Sequence, residues 1–238
     1  MDLKIFLAES KYIDFSSPNI QKKAAEIFQQ TSTNTEYAKA AYEYVRDKIA
    51  HTFDIAIKPF RATAKASDVL KHGTGICHAK SNLLAALLRS RGIPTGFCFQ
   101  HITLEDDDSA GYCIHCYNAI FLDIDPPIEV CQANSNHPPK RGDCDTNIAE
   151  RFNWCRNNQW VKVDARGNRP GVNARFSLGE PVLAFSCRPE YDEYFLPGIY
   201  ANPHFDTMEM LENAKSLQDI LDNIPDYLHE KPDCIVSQ

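Results

Sequence analysis

Apolar residues recur at helical spacing through the first part of the chain, and from Thr95 onward the period shortens to that of strands. Ser17-Pro18-Asn19 offers the start of a helix over 19–30, with proline placed where its missing N–H costs nothing. Thr33 or Thr35 caps a second helix, in which Tyr37, Ala41, Tyr44, Val45 and Lys48 share a face and Glu43, Arg46 and Asp47 stay wet. A third, short helix over Lys65–Lys71 leads through His72-Gly73-Thr74-Gly75 into a long one striped by Leu83, Leu84, Leu87 and Leu88. Gly92 stops that helix and Pro94 prevents its continuation, so it reads as central and buried. Ahead of all of these, Lys4–Leu7 reads as a short strand.

Gly96–Leu104 is rich in aromatic and β-branched residues, Glu105–Ser109 is an acidic turn, and Tyr112–Leu122 is the return strand of a hairpin. The ladder ends at Asp125-Pro126-Pro127, because proline cannot donate to it. Residues 125–150 form a long irregular excursion of the kind that serves as a lid. Trp160–Asp164 is a further strand closed by a Gly-containing turn, 189–205 is Pro-rich and aromatic, and Met208–Ile224 is patterned as helix. No repeat or low-complexity tract interrupts the chain.

The glycine turn before the long helix singles out one thiol. Cys77 falls in the first helical turn, where unpaired N–H groups and the positive end of the macrodipole favour a thiolate. The chain holds nine cysteines, an odd number, and the N-terminus has no apolar stretch long enough for a secretory signal. Most of these thiols are therefore expected to be reduced, small buried hydrophobes in a cytoplasmic protein.

At 238 residues and 43% hydrophobic composition, the chain is expected to form one domain over 1–238. Its parts are N-terminal helices over 1–72, core motifs over 73–170 and a C-terminal extension over 171–238. The net charge of -7 argues against nucleic acid or an anionic membrane as partner.

A nucleophilic cysteine needs a base, and the base needs a group that fixes its tautomer. His115 shares a strand face with Cys113 and Tyr117, opposite Ile114, Cys116, Asn118 and Ile120. Asp164 stands at a strand end beside the turn. Gly-x-Cys opening a helix, Arg-x-Arg-Gly-Ile-Pro after it, His-x-Tyr-Asn on a strand, and Trp-Val-Lys-Val-Asp-Ala-Arg-Gly-Asn together resemble the core of the transglutaminase-like superfamily, especially its bacterial candidate cysteine proteases. The resemblance spans residues 73–168. It implies an α+β, papain-like core in which the cysteine helix packs on an antiparallel sheet. It also implies Cys77 as nucleophile, His115 as general base and Asp164 as its orienting group, with no cofactor and no metal. The implied chemistry is acyl transfer from a peptide or other amide-containing substrate, hydrolysis being expected ahead of glutamine cross-linking. A non-catalytic binding module that keeps the fold is the reading from another class.

The donor of an oxyanion hole is open between His51 and Gln100. His78 points about 100° away from Cys77 around the helix and is a poor base for it. Cys113, His115 and Cys116, with Cys131, His137, Cys144 or Cys155, offer a zinc reading, but a strand projects Cys113 and Cys116 from opposite faces. Lys80, Arg89 and Arg91 read as a solvated face or as partners of the helix dipole, and Asp106–Asp108 as a solvated turn. Tyr191, Tyr194, Phe195 and Tyr200 either line an aromatic cleft or seal a core edge.

Overall fold

A computed structural model describes residues 2–55, 62–123 and 158–229 and the backbone of 235–236. Four helices come first: α1 (Pro18–Phe28), α2 (Asn34–Lys48), α3 (Ala66–His72) and α4 (Cys77–Arg89). Two short strands between them, β1 (Ala50–His51) and β2 (Thr74–Gly75), pair in parallel. The remaining strands are β3 (Thr95–Thr103), β4 (Tyr112–Asp123), β5 (Asn158–Val163), β6 (Tyr194–Phe195), β7 (Ile199–Tyr200) and β8 (Ile235–Val236). They form one sheet ordered β5-β4-β3-β7-β8, with β6 also on β3, and every pairing is antiparallel. Helices α5 (Phe205–Asn213) and α6 (Leu217–Asn223) follow β7.

The two faces of β4 do different work. Ile114, Cys116, Ile120 and Leu122 pack with Leu83, Leu84, Leu87 and Leu88 of α4 in the main core. Tyr117 and Ala119 face away and join Phe6, Cys98 and Ile199 in a second cluster. Every residue of α4 is buried, because α1, α2 and α3 cover the side that the sheet leaves open. Burying each of its leucines contributes about 1.5–3 kcal/mol relative to exposure.

Several elements differ from the sequence pattern. Leu3–Leu7 is a turn of 3-10 helix instead of a strand: the Asp2 carboxylate accepts the Lys4 N–H at 3.0 Å, and Phe6 plugs the outer face of the sheet against Trp160. The patterning over Met208–Ile224 is broken at Ser216, whose capping box with Asp219 starts a new helix. On α2 the buried face carries Tyr42, and Lys48 is exposed.

The largest departure concerns the cations of α4. Lys80 and Arg89 are not solvated: Lys80 is 0% exposed and Arg89 3%. Lys80 Nζ donates to the carbonyls of Arg46 and Ile49 at the end of α2. Arg89 donates to Thr95, Ala8 and Ala201, joining the N-terminal segment, β3 and the chain after β7. A buried cation is tolerated only when its donors are taken up in this way. Arg91 stays outside, 3.7 Å over the Phe28 ring.

Gly96 marks the tightest crossing of the sheet. A Cβ there would overlap Ile199 Cγ2 and sit 3.1 Å from the Tyr200 carbonyl oxygen. Gly96→Ala is expected to lower stability by about 1–3 kcal/mol in urea unfolding. Combined with Ile199→Ala, it should cost measurably less than the sum of the two single changes; strict additivity would show that this contact is not the cause.

Candidate active site

The turn before α4 is built for close approach. Gly73 ends α3 in the left-handed conformation, φ 67°, and its N–H closes the helix on the Val69 carbonyl. Gly75 follows with no room for a side chain, since a Cβ would lie 3.0 Å from Ala79 Cβ. Pairing of β2 with β1 then sets His51 beside Gly75, two residues before Cys77. Cys77 is the first residue of α4, and Ile76 at the cap offers no side-chain acceptor, so the helix end keeps its positive potential for the sulfur.

His115 reaches the same sulfur from β4, and Asp164 reaches His115 from the end of β5. His115 Nε2 lies 2.8 Å from Asp164 Oδ2, with both side chains buried. Asp164 also accepts the Arg166 N–H at 3.0 Å and the Ala184 N–H at 2.9 Å, so both of its oxygens are occupied. His115 and the buried His51 side chain both act electrostatically on the Cys77 sulfur. His51 Nδ1 is buried with no hydrogen-bond partner. Sequence reasoning singled out Cys77, His115 and Asp164 separately, and the fold brings them together.

Electrostatics divides the two imidazoles. Burial pulls His115 down, but the Asp164 carboxylate and the Cys77 sulfur raise it to about 10, which keeps it an imidazolium at neutral pH. Burial also dominates at His51, where it outweighs the opposing pull of the Cys77 sulfur and the Asp54 carboxylate, and it pulls the ring below its ordinary value toward the neutral form. At Cys77 burial pushes the thiol up; His78, His115 and the hydrogen bonds from His115 and His51 outweigh it and hold it well below its ordinary value. The other cysteines among the described residues, Cys98, Cys113, Cys116 and Cys187, are all raised by burial. One thiol is therefore selected for ionisation.

Cys77, His115 and His51 line a cleft of about 570 Å³, walled by Phe53, Ile102, Val172 and Phe185. Gln100 does not reach it: its Nε2 donates to the Phe185 carbonyl at 3.1 Å and to Cys187 Sγ. Of the two oxyanion candidates, His51 is thus the one beside the sulfur. His78 is engaged with the Ile114 carbonyl at 2.8 Å. Tyr191, Tyr194, Phe195 and Tyr200 are not among the residues that line the cleft; Tyr200 packs on Phe99 in the core. Cys113 opens into the cleft while Cys116 faces α4. The 125–150 excursion, which carries Cys131, His137 and Cys144, lies outside the described residues, as does Cys155. Within the described residues no cluster of three potential metal ligands occurs.

Three site residues carried no signal of role in the sequence. Arg166 stood inside the strand-end motif, but its Asp54 partner comes from the turn after β1, and the two form a bidentate pair. Ala184 and Phe185 are brought to the dyad by a segment distant in sequence, and nothing local marks them.

No helix among the described residues is long and apolar enough to cross a membrane. No curated protein matches the chain significantly. A solved structure of a candidate cysteine protease from Cytophaga hutchinsonii aligns at 18% identity and a TM-score of 0.39, covering 50% of this chain and 38% of that one. The chain thus spans well under half the length of that protein. The model of the Transglutaminase-like superfamily matches residues 21–165, more than half of the sequence and nearly the whole stretch from α1 to the residue after Asp164. The chain belongs to the transglutaminase-like superfamily.

Proposed function

We propose that this chain is a cysteine hydrolase that cleaves peptide or other amide bonds through Cys77, His115 and Asp164. The observation that carries the reading is the sulfur of Cys77 at a helix N-terminus, facing a buried His115 that is hydrogen-bonded to Asp164.

In the first half of the reaction the Cys77 thiolate attacks the carbonyl carbon, and the carbonyl oxygen takes the electron pair. A backbone N–H at the start of α4 and the neutral ring of His51 are the donors for that oxyanion. Neutrality suits His51 to this role, because it offers an N–H without competing with His115 for the proton. His115 gives its proton to the leaving nitrogen as the carbon–nitrogen bond breaks, which leaves an acyl-enzyme and a free amine. Neutral His115 then takes a proton from water as the water oxygen attacks the thioester. Collapse releases the acid and restores the thiolate–imidazolium pair. A primary amine in place of water would give transamidation.

Cys77→Ala should abolish turnover of peptide p-nitroanilides, and His115→Ala should reduce it by about 10²–10⁴-fold. Alkylation of Cys77 by iodoacetamide should persist well below the ordinary thiol range near pH 8.5 and move back toward it in His115→Ala. Unchanged alkylation in His115→Ala would remove the ion pair. Amide turnover should fall as the pH rises through about 10, where His115 loses the proton that the leaving group needs.

His51→Phe separates the oxyanion role from the nucleophile. Turnover should drop by about 10²–10³-fold, while iodoacetamide, which forms no oxyanion, should still label Cys77 efficiently. Equal losses in both measurements would mean that His51 only sustains the thiolate. Acceleration of product release by added glycinamide, with capture of the acyl group as an amide, would make transamidation the reaction.

A further inference from the structure

We propose that the segment Ala184–Phe185, which lies beyond the residues matched by the superfamily, is a clamp that positions His115 and Asp164 and shields the hydrogen bond between them from water. The inference rests on the triad proposed above and adds positioning residues to it.

Three contacts converge on the dyad from this one segment and its neighbour. The Ala184 N–H donates to Asp164 Oδ2 at 2.9 Å, the same oxygen that meets His115 Nε2 at 2.8 Å. The Phe185 ring stands perpendicular to the His115 ring, 5.1 Å between centroids, and forms part of the cleft wall. Next to it the guanidinium of Arg166 lies 5.9 Å over the Phe185 ring, while the Arg166 N–H holds the other oxygen of Asp164. Phe185 thus packs against His115 in the cleft wall, while Asp164 behind it does not line the cleft.

The segment is itself anchored to the sheet at the level of the dyad. Gln100 on β3 is the register partner of His115 on β4, and its Nε2 donates to the Phe185 carbonyl at 3.1 Å. Gln100 is 0% exposed, so its side chain is held in place within the sheet. The sheet position across from the base therefore fixes the covering ring. A carboxylate–imidazolium pair keeps its attraction and its geometry only while water is kept from competing for the shared proton.

The test compares Phe185→Ala and Phe185→Tyr with the wild type. In the wild type the His115–Asp164 proton should give a low-field, exchange-protected NMR resonance at neutral pH. Phe185→Ala should lose that resonance to exchange and lower kcat about tenfold with KM within about twofold, tenfold being 1.36 kcal/mol. Phe185→Tyr should keep both, and Gln100→Leu should move in the direction of Phe185→Ala. Phe185 is only partly buried, and melting temperatures close to wild type should accompany these changes. A wild-type resonance and kcat in Phe185→Ala, absence of the protected resonance in the wild type, or a rise in KM alone would overturn the clamp. If turnover survives in Cys77→Ala, the triad itself fails and the clamp goes with it; if Cys77→Ala is inactive and Phe185→Ala is unaffected, the clamp alone fails.

Discussion

A carboxylate with no exposed surface is the constraint around which this molecule is arranged. Asp164 is 0% exposed, and an ionised carboxylate taken from water costs several kcal/mol unless its lone pairs are filled. They are filled by His115, by the Arg166 N–H and by the Ala184 N–H. Each donor comes from a different part of the fold: β4, the turn after β5, and a segment that arrives from the C-terminal third. Satisfying one buried charge thus ties together three stretches of chain, and the imidazole among them is left with a fixed orientation and a fixed proton.

The other half of the site depends on α4 in a similar way. Burial of the whole helix leaves no solvated side for Lys80, so its ammonium is taken up by the last carbonyls of α2. That bond stands one turn after Cys77 and ends at the residue before β1. Burial, followed by the nearby Arg166, lowers Lys80 to about 7, and the anionic side chains of Asp164, Asp54 and Asp47 oppose the shift. The position of His51 beside the sulfur is therefore coupled to the helix that carries the sulfur, through Lys80 as well as through the β1–β2 pairing.

What could be read from the sequence follows from where the relevant contacts lie. The Cys77 helix start was legible because a glycine turn, an apolar stripe and a glycine stop are all local. The hairpin of β3 and β4 was legible because its register follows from alternation and an acidic turn, and Thr95–Thr103 and Tyr112–Asp123 form as strands close to the predicted limits. His115 and Asp164 could be named but not placed, since a strand residue's neighbour across the site belongs to another element. Lys80 and Arg89 were misread for the same reason. Their charge predicts solvent, whereas the Ile49 carbonyl that takes up Lys80 lies 31 residues away in sequence and the Ala201 carbonyl that takes up Arg89 lies 112 away. The 3-10 turn at Leu3–Leu7 shows the converse, an apolar triplet with strand composition that serves as a plug, Phe6 packing with Cys98, Tyr117 and Ile199.

Two histidines near one sulfur could have had the same protonation, and the difference between them gives the site its direction. Both are buried, and burial alone would leave both neutral. Only His115 is hydrogen-bonded to a carboxylate. In the proposed reaction that asymmetry would make one ring the proton donor for the leaving amine and leave the other an uncharged hydrogen-bond donor. His115, together with His78, also favours the thiolate against the burial that opposes it. In the proposed reaction the division of labour between the two rings thus traces back to which strand end carries Asp164. A chain with the same helix and the same two histidines, but without that carboxylate, would lose the hydrogen bond that sets His115 apart from His51.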